Sequence, residues 1–217
     1  MQRNLYGIMK IFDGISENEI KSLINCLQAV NRSYKKNEII FDTDDEIISV
    51  AYILSGSVQL SKNSYEGSRI IIGNLLKNET FGEAMVCAGL KKSLICAKAL
   101  EDTEILFLDI KKILSTCPNN CHFHKRLIEN LVKIIAYKNI ALQEKIYLLT
   151  QKTLREKVLY MLHNEKLKVK KDIFDIPYSR EEMAEFLSTD RSSLSRELSK
   201  MKSEGILDYH KNSFKLI

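Results

Sequence analysis

The chain has 217 residues, 45% hydrophobic and 28% charged, with a formal charge of +5. That length holds one large domain or a moderate one with a small one, and no apolar run reaches membrane-span length, so no membrane partner is expected. Five cysteines, an odd number, and an N-terminus (MQRNLYGIMKIFDGI) without a signal-peptide core predict a cytoplasmic protein without a disulfide framework.

In chain order, Ser16 and Glu19 form a capping box that opens a helix through roughly Leu27, with Ile20, Leu23 and Ile24 on its apolar side. From Arg32 to Asp109 the period changes. YKKNEIIF, ISVAYILSGSVQLSK, RIIIGNLLK, LICAKAL and TEILFLD are short β-branched runs separated by turn-rich DTDDE and NSYEGS. So many short strands predict an antiparallel barrel or jelly roll, whose interior is filled by side chains or by one small ligand.

From about His122 to Leu149 the pattern is helical. Ile128, Ile135, Leu142 and Leu149 recur every seven residues, and Val132, Asn139 and Ile146 take the companion offset. That double register is the mark of a two-stranded seam, and an inward Asn139 would fix its register. The competing reading is a helix packed on its own barrel, which needs a single stripe of period 3.6. TQK at Thr150–Lys152 breaks the heptad and predicts a domain hinge, after which TLREKVLYMLHNE resumes as a new helix.

The segment from Ser179 to Lys202 predicts two short helices and a tight turn. Ser179 and Glu182 make a second capping box, Met183, Phe186 and Leu187 give the first helix its buried side, and Ser188 and Thr189 end it. Asp190 is an N-cap for a helix with apolar Leu194, Leu198 and Met201, followed by Gly205 as C-cap. Arg191, Ser192, Ser193, Ser195, Arg196 and Lys200 remain on the outward face. Arginine grips a guanine edge with two hydrogen bonds, and serine suits base edges or phosphates, so this is the composition of a recognition helix. The bland alternative is a helical hairpin with a solvated charged face. Flanking DIFDIP, closed by Pro177, together with ILDYH and SFKLI predicts a wing, its turn offering His210 and Lys211 to phosphate; Arg180 is a further phosphate candidate. From Thr150 onward Lys and Arg outnumber Asp and Glu by 14 to 11, which is compatible with nucleic acid.

Barrel, long helix, hinge and winged helix-turn-helix, in this order, resemble the CRP/FNR family of bacterial transcription regulators. Phe81-Gly82-Glu83, Ala99-Leu100-Glu101-Asp102, LREKVLYML and the R-S-S-L-S-R run from Arg191 to Arg196 carry the resemblance. It implies an α+β protein: an N-terminal antiparallel β-roll (jelly-roll) domain with a dimerisation helix (residues 1–149, helix about 122–149) and a C-terminal winged helix-turn-helix domain (150–217). It also implies a homodimer on a palindromic double-stranded DNA site, a small-molecule effector, and RNA polymerase as a possible partner. Ile128, Val132, Ile135, Asn139, Leu142, Ile146 and Leu149 would form the dimer seam. Gly82, Glu83, Ala84, Ser93, Leu94 and Asn139 would surround the effector.

Members that bind cyclic AMP follow Gly-Glu with Arg-Ser ten residues on; here Ser93 and Leu94 occupy those places. An anionic phosphate without its cation is poorly compensated, so cyclic AMP is not expected. Gly82 would then serve a turn and Glu83 would satisfy backbone donors. The cysteine cluster of the oxygen-sensing branch has no counterpart beyond Cys26, and a haem reading has only Cys87; no cofactor is assigned. The recognition helix carries Ser192 where relatives usually place a glutamate that accepts from cytosine, so the expected half-site differs from the family's common TGA-containing core, with guanine contacts retained and cytosine discrimination relaxed.

Cys117, Cys121, His122 and His124 form C-x3-C-H-x-H, a ligand set suited to zinc or iron–sulfur but not in a standard finger spacing, or else a redox pair. The favoured reading is that Cys117 and Phe123 pack while the histidines are exposed. Two other functions remain to weigh: a metabolite-sensing module whose C-terminal domain contacts proteins, and an enzyme. The second lacks a histidine–nucleophile pairing or a phosphate-cradling glycine loop.

Overall fold

Helix α1 (Glu17–Cys26) starts where its capping box predicts, with the Glu19 carboxylate accepting from the Ser16 backbone N–H at 2.8 Å. The computed structural model describes residues 10–63, 69–115, 122–176 and 178–217. Pro177, Cys117 and Cys121 lie outside the described residues.

Eight strands follow α1 and form two four-stranded antiparallel sheets. They are β1 (Val30–Tyr34), β2 (Ile39–Phe41), β3 (Ser49–Ser55), β4 (Ser57–Asn63), β5 (Arg69–Leu76), β6 (Thr80–Phe81), β7 (Cys96–Ala99) and β8 (Thr103–Asp109). Their orders are β1-β8-β3-β6 and β2-β7-β4-β5. Two long runs prove to be two strands each. YKKNEIIF breaks at Asn37, whose φ of 73° turns the chain between β1 and β2. ISVAYILSGSVQLSK breaks at Gly56, where the chain leaves one sheet for the other. Gly56 has φ 83°, and a Cβ there would sit 2.4 Å from Thr103 Oγ1, so this corner admits no side chain.

Strand β3 is apolar on consecutive residues because both its faces are covered. Ala51 and Ile53 join Tyr34, Val58, Phe81, Ala97, Ala99 and Ile105 inside the roll, while Val50 and Tyr52 face a second cluster that includes Leu23, Leu27, Leu127, Leu131 and Ile134. The period-2 alternation thus sorts one strand into two cores. Short helices α2 (Glu83–Cys87) and α3 (Ile110–Leu114) flank the roll; neither is evident from periodicity at that length.

Helix α4 (His122–Thr150) is 29 residues long. Leu127, Leu131 and Ile134, spaced i, i+4, i+7, are buried against the roll, and half-buried Ile128 and Ile135 flank them. Asn130 is buried on the same side and donates to the carbonyls of Ile11 (3.0 Å) and Asp13 (2.8 Å), pinning the chain ahead of α1.

The C-terminal elements are α5 (Leu154–Val169), β9 (Ile173–Asp175), α6 (Arg180–Phe186), α7 (Arg191–Ser203), β10 (Leu207–His210) and β11 (Ser213–Leu216), with sheet order β10-β11-β9. Their core holds Val158, Leu162, Phe174, Met183, Leu187, Leu194, Leu198, Met201 and Phe214, joined by Leu148 from the last turn of α4. The chain separates into two compact units, one ending at Lys138 and one spanning Asn139–Ile217. Among the described residues no helix is long and apolar enough to cross a membrane.

Candidate nucleic-acid interface and effector region

Helix α6 begins at the Ser179/Glu182 capping box and ends at Leu187; Ser188, at φ 54°, makes the turn. Asp190 then caps α7, its Oδ1 accepting from the Ser193 N–H at 2.8 Å. Burying Leu194, Leu198 and Met201 leaves Arg191, Ser192, Arg196, Ser199 and Lys200 exposed, with Ser193 and Ser195 at the margin. The predicted set therefore lies on one face.

Contacts within the set orient it. Arg191 Nη1 meets Glu181 Oε1 at 2.7 Å, and Arg196 Nη2 donates to Ser193 Oγ at 3.1 Å. Ser192 Oγ donates to Asp190 Oδ1 at 2.5 Å. These hydroxyl and amide donors hold the Asp190 carboxyl well below the usual carboxylate range. Glu181 was not singled out from sequence, since nothing local marks a residue ten positions before Arg191 as its partner.

Arg180 has a task the sequence did not reveal. Its guanidinium carbon lies 5.2 Å from the Tyr209 ring centroid and 4.9 Å from that of Phe214, and Nη2 donates to the Lys211 carbonyl at 2.5 Å. Burial pushes its pKa down. It clamps the start of α6 to the wing, whose turn exposes His210 and Lys211. On the far side, Arg155 bridges Glu197 (2.7 Å) and Glu204 (2.6 Å), tying α5 to α7. From α4, Lys145 Nζ sits 4.0 Å above the Phe186 ring and donates to the Phe186 carbonyl, and Tyr160 donates to the Glu144 carboxylate.

The residues expected around an effector divide. Gly82, with φ 80°, makes the expected turn and caps α2. Glu83 is 4% exposed, but among the described residues no backbone donor holds it as expected: Lys138 Nζ donates to its Oε1 at 2.7 Å and to the Thr80 carbonyl at 2.7 Å. A buried carboxylate is costly unless it is paired, and here the Lys138 ammonium is its partner. Glu83 Oε2 and Thr80 Oγ1 are buried without a hydrogen-bond partner among the described residues. Burial raises the pKa of neighbouring Glu79, which the Lys138 charge opposes. Ser93 is buried, its hydroxyl donating to the Ile95 carbonyl at 2.7 Å, while Ala84 and Leu94 face outward. Asn139 is exposed and accepts from Gln143 Nε2 at 2.8 Å.

Of the residues expected at a dimer seam, Val132 (60% exposed), Leu142 (57%), Ile146 (61%) and Leu149 (38%) form a second apolar stripe on α4. Of the four candidate ligands in the C-x3-C-H-x-H segment, only the histidines lie among the described residues, and they are not alike. His122 is exposed, 3.1 Å from Glu19 Oε1, whereas His124 is buried with Nε2 2.7 Å from the Ile113 carbonyl. The expectation of two exposed histidines fails because i, i+3 geometry carries His124 to the Leu127 side of α4. Phe123 does pack on the roll.

Residues 31–120 match the cyclic nucleotide-binding domain and residues 156–217 the Crp-like helix-turn-helix domain. The transcriptional activator protein FnrL of Cereibacter sphaeroides is 26% identical over 185 residues, 81% of this chain and 71% of its own length. The catabolite activator protein of Thermus thermophilus superposes with a TM-score of 0.55 at 24% identity, covering 95% of this chain and 93% of that one. CprK complexed with OCPA gives 0.67 at 19% identity, with 90% and 91% covered. The structural likenesses establish the fold, and the two domain matches in sequence, joined by a long helix, say which proteins share it. The chain belongs to the CRP/FNR family of DNA-binding transcription regulators.

Proposed function

We propose that the protein is a cytoplasmic homodimer that reads a palindromic DNA site with α7 and answers to a small-molecule or redox effector other than cyclic AMP. RNA polymerase is the proposed downstream partner. The observation that carries the DNA-reading role is the outward face of α7, where Arg191, Ser192 and Arg196 are exposed on a helix fixed from behind by Arg155 and at its start by Asp190. Two such helices related by a two-fold axis would meet major grooves one turn apart. Fluorescence anisotropy on a selected DNA site tests this. Affinity should fall steeply with added salt, and Arg196→Ala should cost about 1–3 kcal/mol while the dimer persists. Equal affinity of variant and parent would remove Arg196 from the interface.

Three features support an effector other than cyclic AMP. Ser93 stands where an arginine would neutralise the phosphate, its hydroxyl is already bonded within its own loop, and Glu83 is held by Lys138. Calorimetric titration with cyclic AMP should give no binding heat at micromolar concentrations. A saturable isotherm there would reverse this reading.

A further inference from the structure

We propose that Ser192 reads DNA as a hydrogen-bond acceptor, selecting a base whose exocyclic amino group (cytosine N4 or adenine N6) faces α7, because Asp190 has taken its only proton. This rests on the proposed docking of α7 in the major groove.

A serine hydroxyl carries one donor and two lone pairs, whereas an ionised carboxylate only accepts. At 2.5 Å the Ser192–Asp190 contact must therefore spend the serine proton, and its length is that of a charge-assisted bond. Asp190 is itself immobilised as the cap of α7 by the Ser193 N–H. The low pKa of the carboxyl keeps it ionised throughout the neutral range. Donating instead to guanine N7 or O6, or to thymine O4, would require Ser192 to abandon the carboxylate. Accepting from an amino group costs nothing of the kind, since both lone pairs remain outside.

Arg191, next to it, is purely a donor. The first turn of α7 thus presents one donor fork and one acceptor side by side. Relatives that carry glutamate at this place also present an acceptor; here two residues, Asp190 and Ser192, would build it with a shorter reach. Discrimination of cytosine or adenine is then kept in kind, rather than lost with the glutamate.

In the major groove every base pair carries an amino group on one strand, so the test is made atom by atom. Selection from random DNA with the full chain and with Ser192→Ala locates the column that Ser192 reads. At that column, adenine is replaced by deoxynebularine or cytosine by the 2-pyrimidinone deoxynucleoside, either of which lacks the amino group. A 7-deazapurine at the same base pair removes N7 instead. The parent should lose about three- to tenfold in affinity without the amino group and nothing without N7. Ser192→Ala should be indifferent to both. Asp190→Asn, which keeps a good cap, should shrink the amino-group penalty without moving the melting temperature. A parent indifferent to the amino group, or weakened by 7-deaza replacement, overturns the acceptor role. So does a Ser192→Ala selection identical to the parent's, or an undiminished penalty in Asp190→Asn. If the parent enriches no motif at all, the docking of α7 itself is overturned; a motif with columns that depend on Arg196 but none on Ser192 overturns the Ser192 assignment alone.

Discussion

Glu83 sits in the roll with a single ammonium to compensate it, and that ammonium comes from a residue 55 positions later. Removing Lys138 would leave both carboxylate oxygens buried and unpaired. A buried pair broken from one side costs 3–5 kcal/mol, and since the Lys138 side chain is 41% exposed, Lys138→Met should destabilise by about 2–3 kcal/mol. Adding Glu83→Gln to that variant should recover most of the loss, which chemical denaturation of the single and double variants would measure; no recovery would mean that Lys138 stabilises by packing. This pair shows where sequence reading stops at the level of residues. Gly82 and Glu83 stand out in the chain, but which cation answers the carboxylate depends on how α4 lies against β6 and α2. Arg180 is a similar case: arginine at the start of a helix-turn-helix suggests phosphate, and only the folded wing brings Tyr209, Phe214 and the Lys211 carbonyl beneath it.

Among the elements, α4 carries two apolar stripes. Leu127, Leu131 and Ile134 satisfy the roll, so the exposed stripe of Val132, Leu142, Ile146 and Leu149 has no role in folding its own chain. The two readings of the sequence pattern are therefore compatible: α4 packs on its own roll and leaves an exposed apolar stripe, which the partner helix of the proposed homodimer would cover. A charge placed on that seam should separate protomers without unfolding them. Ile146→Asp should shift sedimentation equilibrium from dimer to monomer by tenfold or more in dissociation constant while leaving far-UV circular dichroism intact. An unchanged dimer would place the interface elsewhere. Elements whose ends are fixed by neighbours in sequence were legible: the Ser16, Ser179 and Asp190 caps fall where expected. The Thr153/Glu156 capping box that opens α5 carries the same S/T-x-x-E signal and was available to be read. Strand β6, of two residues, and α2 and α3, of five each, are too short to show a period; their positions follow from what the sheets leave uncovered.

For the molecule as a whole, the sequence suggested that the chain divides at the end of the heptads, with residues 150–217 as the second domain. The C-terminal core reaches further back. Leu148 is buried in it, Lys145 caps the end of α6, and Glu144 receives the Tyr160 hydroxyl. A break in helical periodicity marks a change in backbone direction, not the edge of a core: the contacts of the C-terminal unit reach back to Glu144, less than two turns of helix before Thr150. Leu148 alone contributes roughly 1.5–3 kcal/mol by burial, so a fragment of residues 150–217 should melt about 10 °C below one of residues 139–217. Equal melting temperatures would mean that the last turns of α4 are passengers. Lys152 is exposed just past the helix, an inviting cut for trypsin. Because the leucine that completes the downstream core lies upstream of that cut, a nick there would sever the DNA-reading half from part of its own interior.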